Sequence, residues 1–210
     1  ISRNRNIIKP YELDIVVESK KIAFEYNGLY YHSEAFERNN GKHAAKTRMG
    51  TQAGYRLVHV YEDDWRDRRT VVEKTVRHTL GVTERRYFAR KLQVARKDYA
   101  SVKSFYEANH LQGSGQGDSW CLVDGSTLVA AMQFSQVTSE RGNTDKTRFE
   151  LNRYATVGSV VGGASKLLKA FLKDVPQASS IVSYSDLDTF TGGMYKTLGF
   201  VECGATKPDY

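Results

Sequence analysis

Cysteine, proline and long apolar runs are all scarce in this chain. Its 210 residues include 2 cysteines and 3 prolines. Cys121 and Cys203 are too few for a disulfide framework or a four-thiolate zinc site. A single bridge or a mixed site with histidine stays open, but a reducing cytosol is the simpler reading. No apolar run approaches the roughly 18–20 residues that span a bilayer, and no secretory signal opens the chain. The first residue is Ile1 rather than Met, which reads as a fragment or a processed product. No internal repeat, low-complexity tract or Pro/Gly-rich linker is present. What is present suits a packed core: 40% apolar and 26% charged residues exclude a disordered or fibrous chain. At roughly 100–200 residues per domain, the length allows one large domain or two small ones.

Charge is unevenly placed. The total is +7, yet Arg66 to Lys97 alone carries 11 basic and 3 acidic residues. Such a stripe is the footprint expected opposite a polyanion, with a solvated helix face as the plainer alternative.

Two patterns of elements succeed one another, which makes the chain α/β (α+β) in class. In the first, YELDIVV and KIAFEYNG read as strands joined by a polar turn, a hairpin. Gly41 to Gly54 reads as a basic helix, RLVHVYE as a third strand, and residues 66–86 as a helix stopping at Gly81. The second pattern starts near Tyr87. LQVARKD is strand-like and Tyr99–Asn109 helical, and SWCLVDGSTLVAAMQF is a strand, Asp-Gly turn and strand. RFELNRYAT is a strand, GGASKLLKAFLKDV a helix and SSIVSYSDL a strand. A short helix at Gly193–Thr197 comes next. The predicted division is residues 1–86 and 87–210.

The first hairpin sets out its carboxylates. If the turn centres on Ser19–Lys20, residues whose numbers sum to 39 face each other. Leu13, Ile15, Val17, Ile22, Phe24 and Tyr26 then share an apolar face. The opposite face carries Glu12, Asp14, Glu25 and Asn27, with Asp14 across from Glu25 and Glu12 across from Asn27. Facing anions are destabilising unless neutralised, and a hard divalent cation such as Mg²⁺ (or Mn²⁺) is an economical answer. An ordinary polar face is the alternative. His32 lies only a few residues further along the chain. Metal-assisted phosphodiester hydrolysis needs a cation on the phosphate, a proton-transfer group and basic residues for developing charge. Asp14, His32 and Lys46 suit those roles, and Glu62 at the end of the third strand either joins them or caps the next segment.

ELDIVV, IAFEYNGLYYHSE, KT and GYRLVHVYEDDW, in that order, resemble the very-short-patch-repair-like branch of the PD-(D/E)xK nucleases. The resemblance is more specifically to phage homing endonucleases of the EDxHD type, and it covers about residues 3–66. It implies a metal-dependent endonuclease acting on double-stranded DNA, with Asp14 as the principal Mg²⁺ ligand. His32 would move the proton and Glu12 would be the acidic partner two residues ahead. The backbone carbonyl of Tyr26 would share the metal, with Glu25 beside it. The signature lysine is replaced by Asn27, so its role is absent or supplied by His32 or Lys46. The repair enzymes' structural zinc ligands are missing, so mismatch specificity does not carry over. Glu62, Asp63 and Asp64 are the candidates for the pattern's final acid.

ANHLQGSG, LVAAMQF, RFELNRYAT, VVGGASKLLKAF and SYSDLDTFTGGMYKTLGF resemble a GNAT-like fold near the Mom-type DNA-modification branch, over about residues 88–203. Val161–Ala164 before a helix would present backbone N–H groups to a phosphate, which in an acyltransferase belongs to acyl-coenzyme A. Asn109, His110, Tyr184, Asp186 and Tyr195 would be pocket residues. A domain kept for DNA binding or packing is the favoured reading of this half.

Aromatics near such a site are more often core or surface-anchor residues, and among Tyr30, Tyr31, Phe36 and Trp65 the first candidate for a wedge between bases is Tyr30. Arg66, Arg68, Arg69, Arg85 and Arg86 are expected on phosphates. Together these features predict a Mg²⁺-dependent homing-type endonuclease of a phage or mobile element, working in the (host) cytoplasm, with no membrane partner. Double-strand cutting would suit a dimer. The alternatives are a coenzyme-A-dependent acyltransferase or Mom-like base modifier with a degenerate nuclease half, and a non-catalytic DNA-binding protein.

Overall fold

A computed structural model describes residues 2–28, 40–83, 85–137 and 145–205. The chain is mixed α and β. Its first sheet holds β1 (Ser2–Asn4), β2 (Leu13–Val17), β3 (Ile22–Asn27) and β4 (Arg56–Tyr61), in that spatial order. The β2–β3 hairpin closes through a single 3-10 turn at Glu18–Lys20, with Lys21 at φ 54°. Its register pairs Ile15 with Phe24, Val16 with Ala23 and Val17 with Ile22, the pairing that the turn position predicts. β3 and β4 run parallel, so a crossover must join them, and the helix α1 (Asn40–Gln52) lies in that connection.

Both faces of this sheet are covered, which changes the expected core face. Val16, Ala23 and Leu57 cluster with Leu13, Ile8 and Tyr55, and Met49 of α1 packs on them. On the opposite face Ile22, Phe24 and Val58 meet Val17, Val60, Val76 and Leu80. Leu13 therefore joins the first cluster, while Ile15 and Tyr26 are 43% and 50% exposed. Alternation along a strand says which residues share a face, but not which stretch of that face a helix will cover. The helix expected over 66–86 is two helices, α2 (Glu62–Asp67) and α3 (Arg69–Thr79), broken at Arg68. Glu62 thus opens a helix instead of closing a strand. α3 stops before Gly81, whose φ of 68° suits glycine.

The second sheet, β11-β9-β8-β7-β6, shares no strand with the first. It contains β6 (Gln93–Lys97), β7 (Asp118–Asp124), β8 (Thr127–Gln136), β9 (Arg148–Thr156) and β11 (Ser180–Val182). β6 to β9 are antiparallel and β11 is parallel to β9. A separate parallel pair joins β5 (Arg86–Phe88) to β10 (Ser159–Val161). α5 (Gly163–Asp174) seats Leu167 and Phe171 on one face, where Phe171 stacks on Phe134 at 3.8 Å between centroids. α4 (Tyr99–Asn109) covers the other face through Val102 and Tyr106 against Cys121, Ala131 and Ala155.

The two sheets meet at the free edge of β4. Asp188 lies in the loop before the short helix α6 (Gly193–Thr197). Its carbonyl accepts from the His59 amide at 3.0 Å, and its carboxylate accepts from Tyr61 Oη at 2.7 Å. Arg56 donates to the Thr189 carbonyl at 2.9 Å. An edge that would otherwise expose unpaired backbone groups is thereby covered. A second seam joins α3 to α4, with Arg68 to Glu107 and Lys74 to Asn109, each at 2.9 Å.

Candidate active site

Side chains stitch the hairpin together where its backbone ladder ends. The Asp14 amide donates to Glu25 Oε1 at 3.2 Å, and the Tyr26 amide donates to Asp14 Oδ2 at 3.0 Å. The two carboxylates are thus brought together, as the facing positions predict. Glu25 sits on the sheet face that α1 covers and is only 4% exposed. Helix α1 delivers Lys46, whose Nζ donates to Glu25 Oε2; the Lys46 side chain is 13% exposed. The neutralising cation present is therefore an ammonium. Burial pushes the Glu25 carboxyl above the usual carboxylate range. Lys46 opposes that rise and the Asp14 charge adds to it.

A neutral layer lies beside these charges on the same sheet face. The parallel register sets Glu25 next to His59 and Asn27 next to Tyr61. Asn27 Nδ2 donates to His59 Nδ1 at 3.0 Å. Since that nitrogen accepts, Nε2 carries the proton and donates to Thr47 Oγ1 at 2.9 Å. Burial holds the imidazole below its ordinary pKa, with Asp188 opposing. Asn27, expected at the place of a signature lysine, is thereby committed to His59. The ammonium against the acidic pair comes instead from Lys46, on the helix.

Other expected residues fall further out. Glu12 binds Arg5 at 2.8 Å and Arg3 at 3.8 Å, at the β1 end of the sheet, and its expected pairing with Asn27 is replaced by these ion pairs. Glu62 turns towards Gly28, where an added Cβ would lie 3.4 Å from its Oε2. Asp64 lines a small cleft with His59, Tyr61 and Thr189, and burial raises its carboxyl. Tyr30, Tyr31, His32 and Phe36 lie outside the described residues.

The donor chemistry can be tested against Mg²⁺. Among the described residues no group of three or more His, Cys, Asp or Glu side chains could hold a metal ion. A closed protein cage is thus not built here. Mg²⁺ does not ask for one, because it takes one or two carboxylates and keeps water and phosphate oxygens. Asp14 Oδ1 is engaged by no hydrogen bond among the described residues, and the second carboxylate stands beside it. Both Glu25 oxygens are already taken, by the Asp14 amide and by Lys46, so Asp14 Oδ1 is the donor open to a hard cation shared with a phosphate.

The basic stripe is partly spent within the protein. Arg66 pairs with Asp67 at 2.7 Å, Arg69 with Glu73 at 2.9 Å, and Arg68 with Glu107 across the α3–α4 seam. The first two pairs are surface pairs, worth little and readily exchanged for phosphate. Arg85 holds the Ser159 amide through its carbonyl, and Arg86 lies over the Phe88 ring at 5.4 Å. In the second half, Asn109 accepts from Lys74, Asp186 Oδ1 accepts from the Asp188 amide, and Tyr195 Oη donates to the Tyr184 carbonyl.

His59 and Thr47 were missed by sequence reasoning. The signal for His59 was a polar residue in phase with Leu57 and Tyr61 on an otherwise apolar strand. Using it required the β3–β4 register. No family model, curated protein or solved structure matches this chain.

Proposed function

We propose that this chain is a Mg²⁺-dependent DNA endonuclease of the EDxHD homing type. The observation that carries the reading is Asp14 and Glu25 held together on adjacent strands with Lys46 against them. Two adjoining carboxylates and an ammonium at one sheet end would supply a metal-holding group and a stabiliser of developing charge for phosphodiester hydrolysis. Bound beside Asp14, Mg²⁺ would supply Lewis-acid polarisation of the scissile phosphate. Asp14 would hold that ion through Oδ1 while Oδ2 stays fixed on the Tyr26 amide. Glu25 orients Lys46 Nζ, whose remaining N–H donors would meet the negative charge that grows on the phosphate oxygens. His32, by the resemblance, would move the proton. Asn27, His59 and Thr47 would keep β3, β4 and α1 in register beneath these groups. One such set cuts one strand, so a double-strand break would take a second copy or a second event.

Supercoiled plasmid incubated with and without Mg²⁺, beside Asp14→Ala, tests this. The expected result is Mg²⁺-dependent nicking or linearisation that falls at least 100-fold in Asp14→Ala while its circular dichroism is unchanged. Undiminished cleavage by Asp14→Ala, or none by the wild type across varied DNA substrates, would sink the reading.

A further inference from the structure

A groove of about 600 Å³ opens between the segment after β5 and the start of α5. Phe88, Arg90, Val161, Gly162, Lys166 and Lys169 line it, and no carboxylate does. Among the described residues none of Arg86, Arg90, Lys166 and Lys169 is in an ion pair. Lys166 Nζ donates to the carbonyls of Ala89 at 2.9 Å and Leu92 at 2.6 Å. That ties Ala89–Lys91 to α5 and leaves a positive charge without a counter-ion at the groove. The positive end of α5 faces the same space, with Gly162 in the left-handed region and no side-chain cap.

Phe88 gives the groove a second character. It is 40% exposed, and the guanidinium groups of Arg86 and Arg90 lie over its ring at 5.4 and 5.7 Å. The ring belongs to none of the core clusters and lies at the surface of the β5–β10 pair. Like charges gathered from two chain segments repel one another, and a polyanion would relieve them. An exposed ring among arginines adds a stacking platform, and the combination is how sequence-tolerant single-strand sites are made.

We infer that this groove holds a single nucleic-acid strand, with phosphates on Arg90, Lys166 and Lys169 and a base stacked on Phe88. The choice of a DNA strand rests on the nuclease reading, but the groove itself does not depend on the Asp14 site. Fluorescence anisotropy of a labelled 20-nucleotide oligo-dT, titrated with the full chain in EDTA, reads binding with no cleavage. The double variant Arg90→Ala/Lys169→Ala is expected to bind at least about tenfold more weakly at 0.1 M salt. Two lost phosphate contacts should lower the slope of log affinity against log salt by about 1.4. Phe88→Leu should weaken binding about fivefold or more with that slope unchanged, because it removes stacking and no charge. The charge-preserving Arg90→Lys/Lys169→Arg should restore the slope, which separates lost contacts from a damaged fold. Unchanged affinity in these variants would overturn the inference. So would displacement of the oligonucleotide by micromolar ADP or coenzyme A, or duplex binding that is as tight and equally sensitive to the variants. Loss of oligonucleotide binding in the variants of a protein that never cuts plasmid would support the groove and count only against the nuclease reading.

Discussion

Replacing Lys46 by methionine tests the electrostatics at the centre of the proposed site. Glu25 and Lys46 are 4% and 13% exposed at their side chains, so this is a buried pair. Removing one partner of such a pair typically costs about 3–5 kcal/mol, because the other charge is left uncompensated in a poor solvent. A surface bridge lost the same way costs about 1 kcal/mol or less. The sign of the pH dependence comes from Glu25, whose carboxyl is already raised by burial. A folded-state pKa above the unfolded value gives a contribution present in full at low pH and lost as pH rises through the folded pKa. Without Lys46 that pKa rises further, so the penalty of Lys46→Met should grow with pH above the ordinary carboxylate range. Its slope should approach one proton, about 1.4 kcal/mol per pH unit, before levelling off. Urea unfolding at pH 5, 6.5 and 8, followed by far-UV ellipticity and tryptophan fluorescence together, measures this. The expected loss is about 3 kcal/mol or more at pH 8 and clearly less at pH 5. Adding Glu25→Gln should recover much of it. A loss under 1 kcal/mol, or one independent of pH, would refute the burial argument.

Other parts of the chain give three further expected outcomes. His110 is pushed down to about 4 by burial and by Arg153 and Arg68, and its Nδ1 accepts the Gln112 amide. Its contribution is therefore full above an unfolded pKa of about 6.5 and is lost as pH falls towards 4, roughly 3 kcal/mol in all. His110→Gln should flatten the fall in Tm between pH 7.5 and 5. Gly117 has φ 109°, and a Cβ there would sit 2.0 Å from the Phe134 carbonyl oxygen. Gly117→Ala should cost about 3 kcal/mol or more in thermal or urea unfolding. Cys121 is buried with its thiol pushed up to about 12, whereas Cys203 is exposed. A thiol reagent at pH 8 should titrate one cysteine in the native protein and two in urea.

Local chemistry makes several elements legible in the sequence. The β2–β3 register comes from the polar turn and the alternation on either side of it, and that register brings Asp14 to Glu25. Helix α4 runs from Tyr99 to Asn109 as expected, with Asp98 capping the Ser101 amide. Harder to read were features set by partners distant in the chain. β1, β5 and β10 have three residues each, too few to display a period of two. At the break Arg68 leaves the helical region at φ −131°, and its guanidinium reaches Glu107 on α4, a partner distant in the chain. Lys46 sits on a helix whose polarity runs all round, so no stripe marks the side that meets Glu25. The parallel β3–β4 register depends on α1 and not on any turn, which left His59 unconnected to Asn27 and Thr47.

The loop 184–195 bears on the choice between a nuclease and an acyltransferase. Read as a cofactor pocket, it would need Tyr184, Asp186 and Tyr195 turned towards a common cavity. In the fold the side chains of Asp186 and Tyr195 serve other ends, and Tyr184 is 65% exposed. Asp186 Oδ1 accepts the Asp188 and Thr189 amides and so shapes the turn that puts Asp188 on β4. Tyr195 Oη spans the Ser183 hydroxyl and the Tyr184 carbonyl. The products of that geometry are the contacts of Asp188 with His59 and Tyr61, next to the residues that hold Glu25 and Asn27. Energy put into those hydrogen bonds braces the edge of the first sheet, where a few tenths of an ångström at Asp14 and Lys46 would matter for phosphate chemistry. A segment that is built as a brace is poorly placed to open for a cofactor. The 184–195 loop is thus committed to bracing the first sheet, while the uncapped start of α5 is the part of the second half open to a phosphate.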